Sequence, residues 1–280
     1  MTFFLAILLP VFHFVNSPVT TLRECPFPES EVVSQAYYSE QVNILEEQND
    51  WVKIETTVDH YQGWTLRNSI YACTNSRLLN PSSTIIKVKR CAAHVYSVRD
   101  TIYGPIITLP FDSKLELIDE KDSRWMEVAL VDGRHGYIQS GDVSQSNELL
   151  NRDQMCCFSM QFFGLPYTWG GRSSFGYDCS GFVQMLYRQM GIYLPRDSKD
   201  QARWKGFVNV EIEELNPGDL IFFGYSENKI CHVGLYLGED HFIHASFAEN
   251  TPYICVSQLS NPEWNGSGEY PFRTARTLSK

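Results

Sequence analysis

The chain has 280 residues, too many for one minimal domain and enough for two or three with a sizeable core. Its 43% hydrophobic and 20% charged residues are the composition of a folded globular protein, not of a disordered chain. A formal net charge of −10, with no basic cluster to offset it, argues against nucleic acid or an anionic membrane surface as a general partner.

In chain order, the first feature is "MTFFLAILLPVFHFVNSPVT", residues 1–20, with an apolar run from Phe3 to Val15. The run is too short to span a bilayer and has the length of a signal-peptide core, although no Lys or Arg precedes it and Pro10 and His13 interrupt it. Residues 1–20 are therefore expected to be a signal peptide. That implies export to the periplasm or cell envelope, with no stable membrane insertion once it is removed. The alternative is a buried N-terminal strand, with the protein cytoplasmic.

From about residue 30 to residue 147 the sequence alternates short β-prone runs with polar turns, and no helical period develops. Two stretches share one theme. "NDWVKIETTVDHYQGWTLRNSI" and "SRWMEVALVDGRHGYIQSGDV" each place a Trp at a strand start, then alternating apolar residues, then a polar turn into Gly63-Trp64 or Gly136-Tyr137. An internal repeat of this kind implies two similar domains. The pattern resembles bacterial Src-homology-3-like domains, small all-β barrels. The expected boundaries are 21–80 and 84–146, separated by "NPSS" at Asn80–Ser83. Trp51, Trp64, Trp125 and Tyr137 either contact cell wall or substrate or, the favoured reading, fill small cores.

A third domain, 147–280, begins where the texture changes. "ELLNRDQMCCFSMQFFG" suits a helix that stops near Gly164, and a second helix is expected from Ser180 to Met190, ended by Gly191. Strand-like runs follow at Leu220–Phe223, His232–Leu237 and His241–Ser246, giving an α+β arrangement. The eight cysteines, at 25, 73, 91, 156, 157, 179, 231 and 255, are too dispersed to define a disulfide framework. Cys156 and Cys157 read as helix-core residues.

Cys179 lies in "GYDCSGFVQMLYRQMG", at the first turn or cap of the second helix. There the positive end of the helix dipole favours thiolate, the nucleophilic form. A nucleophile needs a base. His232 and His244 lie six residues on either side of Gly238, so a hairpin turn at "LGED" would set them opposite or nearly opposite on one face. Such a pair suits a base and the partner that orients it, or a purely structural contact. His241 should pair near Leu235, on the other face. Zinc ligation by Cys231, His232, His241 and His244 is disfavoured because adjacent strand residues point to opposite faces.

The segments "YTWGGRSSFGYDCSGFVQMLYRQMGIYLPRDSKDQA", "LNPGDLIFF" and "CHVGLYLGEDHFIHAS" together resemble the NlpC family of cell-wall cysteine peptidases, from roughly Cys156 to the C-terminus. The resemblance implies a reduced papain-like fold with Cys179 as nucleophile, His232 as general base and His244 as orienting residue. It places the Tyr167 hydroxyl beside the nucleophile, where it would help hold an oxyanion together with the Cys179 N–H. Asp178 and Ser180 match positions facing a ligand's amino-terminal end, though Asp178 fits a helix cap as well. "PRDS" borders the site: Arg196 would bind a substrate carboxylate or pair with Asp197 or Asp178, with Asp197 and Ser198 beside it.

Two barrels before such a domain resemble the γ-D-glutamyl-diamino acid endopeptidases, in which the first barrel helps wall the substrate site. The implied reaction is hydrolysis of the γ-D-Glu to meso-diaminopimelate bond in peptidoglycan stem peptides or muropeptides, favouring a free N-terminal L-Ala. The alternatives are another acyl transfer at the same residues, such as an amidase, or a non-catalytic peptidoglycan-binding protein. No feature of the sequence calls for a metal or an organic cofactor.

Overall fold

A computed structural model describes residues 11–74, 77–265, 268 and 270–279. The chain forms two compact units. One takes the chain up to Glu31 together with Ala36–Ser146, and the other takes Val32–Gln35 together with Asn147–Lys280.

Among its described residues, the regular elements of the first unit are strands and single 3₁₀ turns. Seven strands, β1 (Phe12–Val15), β2 (Val19–Arg23), β3 (Val32–Tyr37), β4 (Gln41–Gln48), β5 (Trp51–Thr56), β6 (Gln62–Leu66) and β7 (Ile70–Cys73), form a sheet in the order β3-β2-β6-β5-β4-β1-β7. Seven more follow: β8 (Ile85–Val88), β9 (Ala92–Tyr96), β10 (Ile107–Pro110), β11 (Lys114–Asp119), β12 (Trp125–Ala129), β13 (His135–Gln139) and β14 (Val143–Ser144). Their order is β10-β9-β13-β12-β11-β8-β14, the same path strand for strand.

The repeat reaches individual residues. Gly63 faces Ile54 and Trp64 faces Lys53; Gly136 faces Val128 and Tyr137 faces Glu127. A Cβ on Gly63 would come within 2.7 Å of Leu22 Cβ on β2, and one on Gly136 within 2.5 Å of Val95 Cγ1 on β9. Both glycines are there because a neighbouring strand passes too close for a side chain. Of the four aromatics, Trp64 and Trp125 are buried, Trp125 against Tyr96 at 5.5 Å, whereas Trp51 and Tyr137 are half-buried.

β1 lies inside the segment expected to be a signal peptide. It pairs with both β4 and β7, and it buries Phe14 and Val15 in the sheet. Residues 12–20 are thus part of the first barrel, which begins ahead of residue 21. The rest of that expectation, residues 1–10, lies outside the described residues.

In the second unit, α1 (Arg152–Ser159) starts at Asn151, whose side chain accepts from Gln154 N–H while the Gln154 side chain returns to Asn151 N–H. A 3₁₀ turn, Met160–Phe162, ends the helix ahead of Gly164. The core face of α1 is Met155 and Ser159. Cys156 is half-buried and Cys157 exposed, so the two adjacent cysteines are not helix-core residues. The short strands β15 (Arg172–Ser173) and β16 (Gly176–Tyr177) then lead into α2 (Cys179–Gln189), which is buried from Cys179 through Tyr187. After the single turn α3 (Ser198–Gln201) come β17 (Phe207–Val210), β18 (Leu220–Ser226), β19 (Lys229–Gly238), β20 (His241–Ala245), β21 (Ile254–Gln258) and β22 (Phe272–Leu278). These six make one antiparallel sheet in the order β17-β22-β18-β19-β20-β21, with α2 packed on β19. The unit is α+β, and the helix–strand contact at its centre brings Cys179 to the histidine-bearing strands.

Candidate active site

Asp178 caps α2: its Oδ1 accepts from Gly181 N–H at 2.7 Å and from Ser180 Oγ at 3.1 Å. Asp178 N–H in turn donates to Gly171 O at 3.1 Å. A Cβ on Gly181 would stand 2.1 Å from that same Gly171 oxygen, so the glycine after Cys-Ser is what lets the "WGG" loop lie on the first turn. The Cys179 thiol is buried there, with backbone hydrogen bonds from Ser180 and from Val233, the residue after His232.

The two histidines share a face of the sheet but are not directly opposed. Leu235 pairs with Ile243 and Tyr236 with Phe242, and an irregularity brings His241 opposite Gly238. This register shifts the hairpin relative to a turn centred on Gly238 and makes His232 and His244 diagonal neighbours. They meet because Gly234 lies between them: a Cβ there would approach His244 Cβ to 3.5 Å and the Phe242 ring to 2.6 Å. His232 Nε2 and His244 Nδ1 are 2.8 Å apart, and His244 Nε2 is 3.1 Å from Ser257 Oγ. His232 Nδ1 is buried with no hydrogen-bond partner among the described residues. His241 instead bonds Glu239 O and Gln258, and Cys231 is exposed while His232 is buried, so the four zinc candidates are not gathered.

Burial pushes the Cys179 thiol up to about 12, with the Asp178 charge adding to it, and pushes His232 down to about 3. His244 is held well below its ordinary 6.5 by burial and by His232. Loss of hydration penalises the charged form of each group. Burial thus favours a neutral thiol beside two neutral imidazoles. Aromatic rings supply that dryness. Trp264 stacks on His232 at 5.6 Å, and Phe223 and Phe247 close its sides at 5.7 and 5.6 Å. Tyr167 is half-buried at 6.0 Å from Phe247; burial and the neighbouring Cys179 and Asp178 hold its hydroxyl above the usual range, in the protonated, donating form.

Arg196 is 3% exposed and grips Asp178 with both ends of its fork, Nη1 to Oδ1 at 3.0 Å and Nη2 to Oδ2 at 2.5 Å. Nη1 also reaches Ser180 Oγ at 2.9 Å, and Nε donates to Ser34 Oγ at 3.0 Å. Asp178, Ser180 and Ser34 thus share its planar donor set, so that of the partners the sequence offered Arg196 the structure brings it Asp178. The same contacts occupy Asp178 and Ser180. Asp197 is less committed: half-buried, with its carboxyl raised by burial, it meets Lys199 at 3.6 Å. Ser198 is buried at the start of α3. A second buried arginine, Arg172, bonds Gln184 Oε1 at 3.0 Å and Gln35 O at 2.8 Å.

The profile of the NlpC/P60 family matches residues 164–267, and that of the bacterial SH3 domain matches residues 18–70. Gamma-D-glutamyl-L-lysine dipeptidyl-peptidase of Bacillus subtilis is 30% identical over 226 residues, covering 78% of this chain and 73% of that protein. Dipeptidyl-peptidase 6 of Lysinibacillus sphaericus is 30% identical over 245 residues, covering 80% and 84%. The chain belongs to the NlpC/P60 family. In fold it is similar to the crystal structure of an NlpC/P60 family protein from Bacillus cereus, with a TM-score of 0.82 over 95% of this chain and 99% of that one at 24% identity. As a member of the NlpC/P60 family it is a hydrolase of the cysteine-peptidase class.

Trp264, Phe247, Ser257 and Cys255 border this NlpC/P60 site without having stood out in the sequence. Trp264 follows a loop with no periodicity. Cys255 and Ser257 occupy a strand whose pairing is fixed by His244 facing Cys255. Only the alternation of "ICVSQ" hinted that Cys255 and Ser257 share a face.

Proposed function

We propose that this protein hydrolyses the bond joining γ-D-Glu to the diamino acid of peptidoglycan stem peptides, with Cys179 as nucleophile, His232 as base and His244 as the residue that orients it. The observation that carries the reading is His232 itself, committed at Nε2 to His244 and uncommitted at a buried Nδ1, on the strand against which the Cys179 helix packs. The names of relatives, gamma-D-glutamyl-L-lysine dipeptidyl-peptidase and, over a shorter span, gamma-DL-glutamyl hydrolase, support γ-glutamyl chemistry.

With both groups neutral at rest, the thiol proton passes to His232 Nδ1 as Sγ attacks the γ-carbonyl carbon. The developing oxyanion is met by the Cys179 N–H at the helix start and by the Tyr167 hydroxyl. Collapse breaks the C–N bond, and His232 returns its proton to the departing amine. Water then attacks the thioester, giving one proton to His232; collapse breaks the C–S bond, His232 returns that proton to sulfur, and the product acid leaves as carboxylate after losing its proton to solvent. A free N-terminal ammonium would meet the Asp178 carboxylate, whose charge acts on both Cys179 and Tyr167 and which Arg196 holds in place.

The test is mass-spectrometric product analysis with L-Ala-γ-D-Glu-meso-diaminopimelate, its L-Lys counterpart and the N-acetylated forms. Release of the free diamino acid from unblocked peptides, lost on Asp178→Asn, is the expected result. Cleavage of blocked and free forms alike would remove the amine site, and cleavage at another bond would remove the substrate assignment.

A further inference from the structure

His232 can take a proton at Nδ1 only while its own ring proton sits on Nε2. A neutral imidazole has one donor and one acceptor, so the chain of contacts His232–His244–Ser257 has two polarities. In one, His232 Nε2–H donates to His244 Nδ1, His244 Nε2–H donates to Ser257 Oγ, and His232 Nδ1 keeps its lone pair. In the other, the Ser257 hydroxyl donates to His244, His244 donates to His232, and His232 Nδ1 carries the proton and has no basic lone pair.

The choice falls to the last member. His244 faces Cys255 across β20 and β21, and Ser257 is two residues on, on the same face. Cys255 is buried, with Sγ 3.6 Å from His244 Nε2. The Ser257, Ser246 and Thr251 hydroxyls lie near enough to its sulfur to act on the thiol. A Ser257 hydroxyl hydrogen turned to this sulfur leaves its oxygen lone pairs to His244. The groups facing His244 are His232, Cys255 and Ser257, with the Phe242 and Trp264 rings against it and the Glu263 charge acting on Cys255.

We infer that Ser257, oriented by Cys255, is a positioning residue that fixes the polarity of the histidine relay and holds His232 in the tautomer whose Nδ1 is the base. The inference rests on the proposed role of His232. Ser257 touches no reacting atom; it acts through two rings. Outer-sphere partners of metal-ligating histidines matter by about 10–100-fold, and the lower end of that scale is the expectation for Ser257.

The experiment compares wild type, Ser257→Ala, Ser257→Thr and Cys179→Ala as full-length proteins. It measures kcat and KM on the free tripeptide and records ¹⁵N spectra of histidine-labelled protein, which distinguish Nδ1–H from Nε2–H tautomers. The inference predicts that Ser257→Ala lowers kcat about 10-fold or more with KM within about twofold, that its His232 signal moves towards a tautomer mixture, and that Ser257→Thr restores both. An unchanged His232 tautomer in Ser257→Ala, or a kcat loss that Thr does not rescue, overturns it. If wild type fails to cleave, or Cys179→Ala still cleaves, the catalytic reading falls instead, and the spectra alone decide whether Ser257 sets the tautomer.

Discussion

The two barrels and the peptidase unit are held together by different physics. In the second barrel Ile86, Val95, Leu109, Leu115, Val128 and Ile138 are fully buried in one apolar core, and Tyr38 of the first barrel joins it, its hydroxyl accepting from Val131 N–H at 2.7 Å. The peptidase unit instead buries Asp178, Arg196, Arg172, Asp219, His232 and His244 around its functional helix. A barrel tolerates whatever fills its volume, so it can be duplicated and diverge. A site of desolvated polar groups needs each partner in place, because an orphaned one loses its hydration without replacement.

That contrast is open to attack by substitution. The largest effect belongs to the nucleophile: Cys179→Ala should lower turnover by about 10⁴-fold or more while the thermal transition remains cooperative, checked by product assay and calorimetry. Next is Arg196→Ala, which strands the Asp178 charge in the interior. Urea titration should show a loss of about 3–5 kcal/mol, and an exposed pair of the barrels such as Arg134–Asp132 should cost well under 1.

Stability against pH should carry the same signature. His232 and His244 resist protonation when folded, so as pH falls from 6.5 towards 3 the unfolded chain binds protons that the folded protein does not, and stability drops. Cys179 keeps its proton to about 12 when folded and loses it near 9 when unfolded, so stability also drops as pH climbs through that window. Denaturation midpoints across pH would show both limbs; Cys179→Ala should make the alkaline one shallower, leaving the part due to other thiols such as the half-buried Cys156 and to buried tyrosines such as Tyr187, and an unchanged alkaline limb would mean the thiol is not neutral at rest.

Smaller effects test the repeat. Gly63→Ala and Gly136→Ala should each cost about 1–3 kcal/mol, because equivalent neighbouring strands, β2 and β9, block the two positions. The smallest concerns the turns before them, where His60 adopts φ 57° and Gly133 φ 84°. Gly133→Ala should cost about 1 kcal/mol by chemical denaturation, and His60→Gly should be near neutral or stabilising.

Much of this was legible because it is local. The repeated Gly-aromatic turns marked two equivalent barrels, and apolar spacing through Phe182, Val183, Leu186 and Tyr187 placed Cys179 at a helix start. The His232–His244 parity survived a hairpin whose register differs from the simple one, since the shift moves partners by two and keeps each side chain on its face. What stayed hidden depends on distant chain. Apolar residues 12–15 satisfy a signal-peptide core and a buried strand equally well in sequence, and their pairing with β4 and β7 depends on residues well down the chain. Ser34 and Gln35, which complete Arg196 and Arg172, lie more than a hundred residues away in a stretch that reads simply as strand.

The central claim is a thioester on Cys179 formed with the γ-carboxyl of D-glutamate. Acid-quenching wild-type protein during turnover of L-Ala-γ-D-Glu-meso-diaminopimelate, followed by intact-mass measurement and peptide mapping, addresses it directly. The account predicts a transient adduct of one L-Ala-γ-D-Glu acyl group on the Cys179 peptide, absent from Cys179→Ala. An adduct on another residue, or diaminopimelate release that persists in Cys179→Ala, would contradict it.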